Sequence, residues 1–342
     1  MVQEGIDMKM LNRVPRLLIE VELQPVQGDR FQPTGFADLG AAIYENPKGK
    51  RMILVESAQS IANRLEQTCL NGSGPRISPN IEGIPYILAK LEGEIDKDRK
   101  IETETSSLVE AHRINSPFII SNDEFKQAFK KMAGYEKGVP LNWNKIAETM
   151  FFYDPNSLLH GAFMANLEDG RVKVQRAITG FIEAEGVREV ASGGVKNNPL
   201  DPTGKIRAVN YGENVYSNVP YHRMEYTADS IVAYFNFDLA LIDGYGLKPE
   251  AKEFLVALGL YKIRKFLARG LRLRTACDLA LKGEIKVTAP EGFVVPDEEM
   301  LLKVVQKNIK ACADNGLFAD PPLTVLETPV VLKSSKEETA ET

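Results

Sequence analysis

Ile53-Leu-Val-Glu-Ser-Ala-Gln-Ser-Ile-Ala-Asn-Arg-Leu-Glu66 begins as a short apolar run and turns into a helix pattern with no loop between the two. Ala58, Ile61, Ala62 and Leu65 recur at i, i+3, i+4 and i+7, which lays one apolar stripe against a core. Ser57, Ser60, Asn63, Arg64 and Gln67 fall on the other side. A helix N-terminus carries unpaired N–H groups and partial positive charge, so it is a natural seat for a phosphate. Ser57, Gln59 and Ser60 add neutral donors there, and Asn63 and Arg64 extend them by one turn. An N-capped surface helix accounts for the same residues, and this stretch alone leaves both readings open.

The segments on either side build an α+β pattern. Arg16-Leu-Leu-Ile-Glu-Val-Glu-Leu-Gln24 alternates, with Leu17, Ile19, Val21 and Leu23 on one face of a half-buried strand. Pro25 to Gly40 reads as a loop carrying the donors Gln27, Arg30, Gln32 and Thr34, with Phe31 and Phe36 as its anchors. The breaker cluster Asn71-Gly-Ser-Gly-Pro75 and the mixed charges of Glu92 to Glu104 mark Cys69 to Ser106 as a surface insertion. Leu108 to Ile120 returns toward the core, with His112 a structural residue sooner than a catalyst.

Further along, Ser121-Asn-Asp-Glu124 reads as a capping box with Ser121 at the N-cap, followed by the stripe Phe125, Ala128, Phe129 and Met132. A helix is expected from Asn142 to Phe151, a strand from Leu158 to Leu167, and a hairpin continuing through Val172 to Ile182. Ala191 to Asn218, rich in Gly, Asn and Pro, reads as a long loop bearing Lys196, Lys205 and Arg207. A lobe that orders against a partner and simple disorder both fit it. Ser230 to Ile242 is strand-like, Pro249 to about Leu267 helical, and Asp297 to Ala313 a helix with acids at its start. The acidic end, 334–342, reads as disordered.

With 342 residues, 44% apolar and 26% charged, the composition is that of an ordinary soluble globular protein. The net charge of −5 speaks against nucleic acid as a partner unless the cations are clustered. They are: Lys262 to Arg274 holds six basic residues and no acidic one. There Lys262 and Lys265 fit an exposed helix face, while Arg269, Arg272 and Arg274 cluster about Gly270 and a strand. Cys69, Cys277 and Cys312 are few and widely spaced, which fits thiols in a reducing cytoplasm and no metal site. No signal segment or membrane-length apolar run stands out, so no membrane is expected. There is no P-loop and no G-x-G-x-x-G after a strand, so no cofactor is expected. Neutral donors with arginines at element ends hold phosphates and sugars without reading bases, and single-stranded nucleic acid suits them.

These residues resemble a known family. Arg16-Leu-Leu-Ile-Glu20, Gln27-Gly-Asp-Arg-Phe-Gln-Pro-Thr-Gly-Phe36, Leu54-Val-Glu-Ser-Ala-Gln-Ser60, Glu110-Ala-His-Arg113 and Asp154-Pro-Asn-Ser-Leu-Leu-His-Gly161 are similar to the backbone subunit of type I-G (formerly I-U) CRISPR Cascade complexes. Ser192-Gly-Gly-Val-Lys-Asn197, Asn218-Val-Pro-Tyr-His-Arg223 and Gly270-Leu-Arg-Leu-Arg-Thr-Ala-Cys-Asp278 continue the pattern.

The resemblance implies a repeat-associated (RAMP) fold over 14–330: a modified ferredoxin-like, RNA-recognition-motif palm. A finger-like, helical insertion would occupy 69–160 and a thumb-like loop 188–222. It implies a non-catalytic subunit that binds guide RNA and polymerises with copies of itself along the spacer. Other Cascade subunits and, through guide pairing, a target DNA strand would be its partners. In related subunits a Ser-x-Gln-Ser element opening the first helix contacts guide phosphates, and Ser57, Gln59 and Ser60 match it. With helix position and local charge, the candidate RNA contacts are Gln27, Arg30, Gln32, Ser57, Gln59, Ser60, Asn63, Arg64, Lys196, Asn197, Lys205, Arg207, His222, Arg223, Arg269, Arg272 and Arg274. The alternative is an RNA endonuclease of the type III backbone kind, with Asp29 or Asp201 as the acting carboxylate.

Overall fold

The computed structural model describes residues 5–96, 99–203, 205 and 218–331. Arg207 and the 334–342 tail lie outside the described residues. The chain is a mixed α+β protein built on an antiparallel sheet. From one edge to the other its hydrogen-bonded neighbours are Arg272–Arg274, Cys277–Leu281, Arg16–Pro25, Ser230–Asp238, Ile178–Glu185, Arg51–Glu56 and Ile43–Glu45. Lys286–Ala289 also pairs with the 16–25 strand, beside Leu18 to Glu20.

Period-two alternation decides which face is buried. Leu17, Ile19, Val21 and Leu23 lie directly opposite Phe237, Phe235, Ala233 and Ile231, so the inward residues of the two central strands meet in register. On the next strand Ile178 and Ile182 face Phe237 and Ala233 in the same way. The helices Ala58–Gln67 and Pro249–Arg269 cover this face. Glycine lets both come close: a Cβ on Gly180 would lie 3.0 Å from Ile61 Cγ2 and 2.7 Å from the Phe235 ring. One on Gly259 would lie 2.5 Å from the Phe237 ring. The 249–269 helix is buried on nearly all sides because Glu298–Asp314 packs on it as well.

A second sheet sets Leu323–Val331 parallel to Tyr86–Asp96, which pairs antiparallel with Arg99–Ser106. The stretch read from sequence as a surface insertion therefore contains a buried strand, since Tyr86 to Leu91 are buried apart from half-buried Lys90. A charged second half and a nearby breaker cluster hid an apolar first half whose partner is far away in sequence. The Gly-rich 192–196 stretch, expected as loop, is likewise the end of the strand Arg188–Lys196. It forms a two-stranded ribbon with Val219–Thr227 and exposes most of its residues.

Other local expectations are corrected. Asn122, not Ser121, caps the helix Asp123–Ala133, accepting the Phe125 N–H at 3.0 Å, while Ser121 closes the short helix Pro117–Ile120. Leu158 does not begin a strand. Buried Asp154 accepts the Asn156 N–H at 3.1 Å and the Ser157 hydroxyl at 2.8 Å, which starts the helical turn Asn156–His160. Of the hairpin expected over 158–182, the short pair Ala162–Phe163 and Lys173–Val174 forms, and Ile178–Glu185 enters the main sheet. Phe31 is fully buried, as an anchor should be, but Phe36 is 46% exposed. Cys69, Cys277 and Cys312 are buried free thiols. Among the described residues no helix is long and apolar enough to cross a membrane.

Candidate nucleic-acid interface

The helix Ala58–Gln67 starts where its sequence indicates. Ser57 is extended and its hydroxyl accepts the Ser60 N–H at 3.3 Å. Just before it, Glu56 is 1% exposed, and this carboxylate organises the surroundings. Arg64, two turns on, places Nε 3.4 Å from Glu56 Oε1 and donates through Nη2 to Leu273 O at 2.5 Å. Arg274 pairs with the other carboxylate oxygen of Glu56 and donates to Gln32 O and Val55 O, each at 3.0 Å. Three segments far apart in sequence, the 25–34 loop, the helix start and the 272–274 strand, thus meet at one corner.

The backbone closes the same corner. The Gln32 N–H donates to Ala276 O at 2.8 Å and the Thr34 N–H to Val55 O at 3.0 Å. Phe31 and Tyr226 exchange two backbone hydrogen bonds of 2.9 Å, tying the loop to the ribbon's base. There a second buried carboxylate, Glu225, holds two cations. Arg223 reaches Oε1 through Nε at 2.8 Å and Nη2 at 2.6 Å, and Arg30 Nη1 lies 3.5 Å from Oε2.

The sequence candidates therefore fall into two sets. Arg64, Arg223 and Arg274 are half-buried and paired, and Arg30 is paired but 55% exposed along its side chain. Gln27, Gln59, Asn63, Lys196, Asn197, Lys205, His222, Arg269 and Arg272 are exposed, while Gln32, Ser57 and Ser60 are half-buried. Lys196, Asn197 and His222 sit on or beside the ribbon, away from the Glu56 corner along the chain.

Lys262 corrects an expectation. It is fully buried instead of lying on an exposed helix face, and Nζ donates to Asn156 Oδ1 at 2.5 Å and lies 2.8 Å from His160 Nε2. Burial first, and then Lys262, Arg113 and Arg176, push the His160 pKa well below its ordinary value. Lys265 is also engaged, donating to Thr68 O at 2.8 Å.

Sequence reading missed Arg176. It comes from the segment before the 178–185 strand, donates to the Gln59 side-chain oxygen, and lies 3.5 Å from Ala58 O. Nothing local in Lys173-Val-Gln-Arg176 announces this, because its partner is more than 100 residues away. Glu56 and Glu225 were missed as organisers for the same reason: a buried carboxylate is recognisable only from its burial.

The open face of the main sheet has the opposite character. Phe181 and Tyr234 stack with centroids 5.1 Å apart at 27°. Glu20 lies directly opposite Tyr234, and Glu183 and Glu185 follow Phe181 on the same face of its strand; partial burial, then these three carboxylates, raise the Tyr234 hydroxyl pKa. Tyr44 donates to Glu183 at 2.6 Å, and burial followed by that contact pushes its pKa up to about 12. Among the described residues no group of three or more His, Cys, Asp or Glu side chains is placed to hold a metal ion.

The fold and this corner define an α+β protein whose cations are gathered at segment ends around buried carboxylates. The sequence model of the family described as CRISPR-associated protein GSU0053 matches residues 17–189, half of the chain, and the chain belongs to that family. Among solved structures it is similar to a chain of a CRISPR RNA-guided surveillance complex, pre-nicking, at 14% identity and a TM-score of 0.40, covering 78% of this chain and 74% of that one. It is similar to a chain of a second CRISPR RNA-guided surveillance complex at 12% identity and a TM-score of 0.33, covering 88% and 83%. A third likeness is Csc2 of Thermofilum pendens, at 9% identity and a TM-score of 0.31, covering 92% and 83%. No curated protein matches the sequence.

Proposed function

We propose that this protein is a non-catalytic guide-RNA-binding backbone subunit of a type I, subtype I-G, CRISPR interference complex, polymerising along the spacer with other Cascade subunits. The observation that carries this reading is the meeting of the 25–34 loop, the Ser57 helix start and the 272–274 strand at one corner of a CRISPR-associated chain. Donors from these segments suit a sugar–phosphate backbone, and none of them needs to read a base.

The strand order supports a ferredoxin-like palm over 14–330. With 16–25, 178–185, 230–238 and 277–281 taken as first to fourth strands, the order across the sheet is fourth, first, third, second. Helices follow the first strand, after the extra strand 51–56, and the third. The ribbon of 188–196 and 219–227 is the natural candidate for the thumb in 188–222, and the segments of 69–160 for the finger-like insertion. The carboxylates around Tyr234 favour a guide path along the Glu56 corner over one across the open sheet face. The cytoplasm is the setting we assign, and target DNA would be engaged through the guide.

Expression with guide RNA and the neighbouring subunits tests the reading. The protein should copurify in a large RNA-containing assembly with a periodic nuclease footprint. A lone RNA-free monomer under those conditions would overturn it. Metal-dependent cleavage of complementary RNA, abolished by Asp29→Ala or Asp201→Ala, would assign the nuclease role instead.

A further inference from the structure

Beside the Ala58–Gln67 helix, two cavities of about 860 and 510 Å³ share Ala111 and Arg113 and so form one groove. It begins at Gln59, Asn63 and Gln67, spaced i, i+4 and i+8 along one flank of the helix, and ends at Phe163, Lys173 and Arg176. None of the last three belongs to the corner around Glu56.

The charge of this groove is set by which groups are already engaged. Its two carboxylates face protein donors: Glu66 receives Arg113 through two nitrogens, at 2.6 and 2.8 Å. Glu110 accepts the hydroxyls of Ser116, at 2.8 Å, and Thr105. Arg176 spends donors on Gln59 and Ala58 O, and a guanidinium has five. Phe163 is 48% exposed, and Lys173 Nζ stands 4.5 Å from its ring centroid. An exposed aromatic ring with one cation over it, a second cation in the same lining, and a row of side-chain amides, of which Gln59 Nε2 donates to Asn63 Oδ1 at 2.9 Å, matches the chemistry of a single nucleic-acid strand. Bases stack on rings of any sequence context, cations neutralise phosphates, and amides bond riboses.

We propose that this groove seats a segment of single-stranded RNA. A base stacks on Phe163, phosphate meets Lys173 and Arg176, and sugars lie against Gln59, Asn63 and Gln67. The assignment rests on the RNA-binding role above and extends that surface from the helix start along its flank to the 160–176 segment. Arg176 joins the two parts because it holds Gln59.

The test is binding of a uridine homopolymer by the full chain across a salt series, with cross-linking of the same RNA carrying 4-thiouridine. Phe163→Ala combined with Lys173→Ala should weaken binding about tenfold and reduce the salt slope by about one. The thermal midpoint should stay unchanged, since both changes trim exposed side chains, and cross-linked peptides should include 160–176. Lys173→Gln alone should reproduce the lower slope. Parent-like affinity and slope in these variants, with cross-links confined to the 25–34, 57–64 and 272–274 segments, would overturn the groove and leave the RNA-binding role standing. If the parent chain, alone and in its assembly, takes up no RNA, that role fails and the groove with it.

Discussion

Arg113 grips Glu66 with two parallel hydrogen bonds, Nε to Oε1 at 2.6 Å and Nη2 to Oε2 at 2.8 Å, and both residues are less than a tenth exposed. The remaining nitrogen, Nη1, donates to Gly161 O at 3.1 Å. Arg113 holds a left-handed backbone, φ 53°, which an arginine rarely adopts and which this contact set helps to maintain. One ion pair thereby joins the end of the 58–67 helix to the 113–115 turn and to the wall of the groove.

Breaking that pair from one side leaves a buried charge alone. Arg113→Gln should cost about 3–5 kcal/mol in urea unfolding, and adding Glu66→Gln should restore part of the loss. A cost below about 1 kcal/mol for the single change would mean that the pair does not anchor the helix.

Arg272 and Arg274 sit two residues apart and should behave differently. Arg274→Ala removes donors from Gln32 O, Val55 O and buried Glu56 and should destabilise by about 3 kcal/mol. Any loss of RNA would then follow from loosening the 25–34 loop. Arg272 is exposed, so Arg272→Ala should change stability by about 0.5 kcal/mol or less and lower the salt slope of RNA binding by about one. Equal effects on stability would contradict the assignment.

The helix caps are separable. Ser57→Ala and Asn122→Ala each remove a side-chain acceptor and should cost about 1 kcal/mol in thermal or chemical unfolding. Ser121→Ala should cost no more than about 0.5 kcal/mol, because Ser121 supplies no side-chain cap to the 123–133 helix. The reverse order for 121 and 122 would restore the capping box expected from the sequence.

Two buried groups act oppositely on stability as pH changes. Burial raises the Asp154 pKa from 3.8 to about 6, so the native state binds the proton more tightly. The stability this gives is full below about pH 4 and is lost as pH rises through about 6. His160 is lowered well below 6.5, so its contribution is present above that value and is lost as pH falls toward its depressed pKa. Unfolding measured from pH 4 to 7 should show the Asp154→Asn variant gaining stability relative to the parent as pH rises. His160→Gln should lose less stability than the parent on acidification from pH 7. Parallel pH curves for all three proteins would rule out these shifts.

The sequence by itself determined the elements whose signals are local. The alternation of Arg16 to Gln24, the stripe of Ala58 to Leu65, Asn142 and Asp297 as helix starts and Pro249 in a first turn all appear in the structure. It also located the loop, the helix start and the Arg272–Arg274 segment that meet at the Glu56 corner. Only the tertiary structure decided what those residues face. Partners more than 100 residues away made Arg274 a clamp on Glu56, held Lys262 in the core beside Asn156, and set Arg176 against Gln59. It likewise made strands of Tyr86–Asp96 and Arg188–Lys196, whose ladders depend on segments remote or interrupted in sequence. Periodicity and capping are set within a turn or two of chain, whereas burial and charge pairing are set by whatever the fold brings alongside.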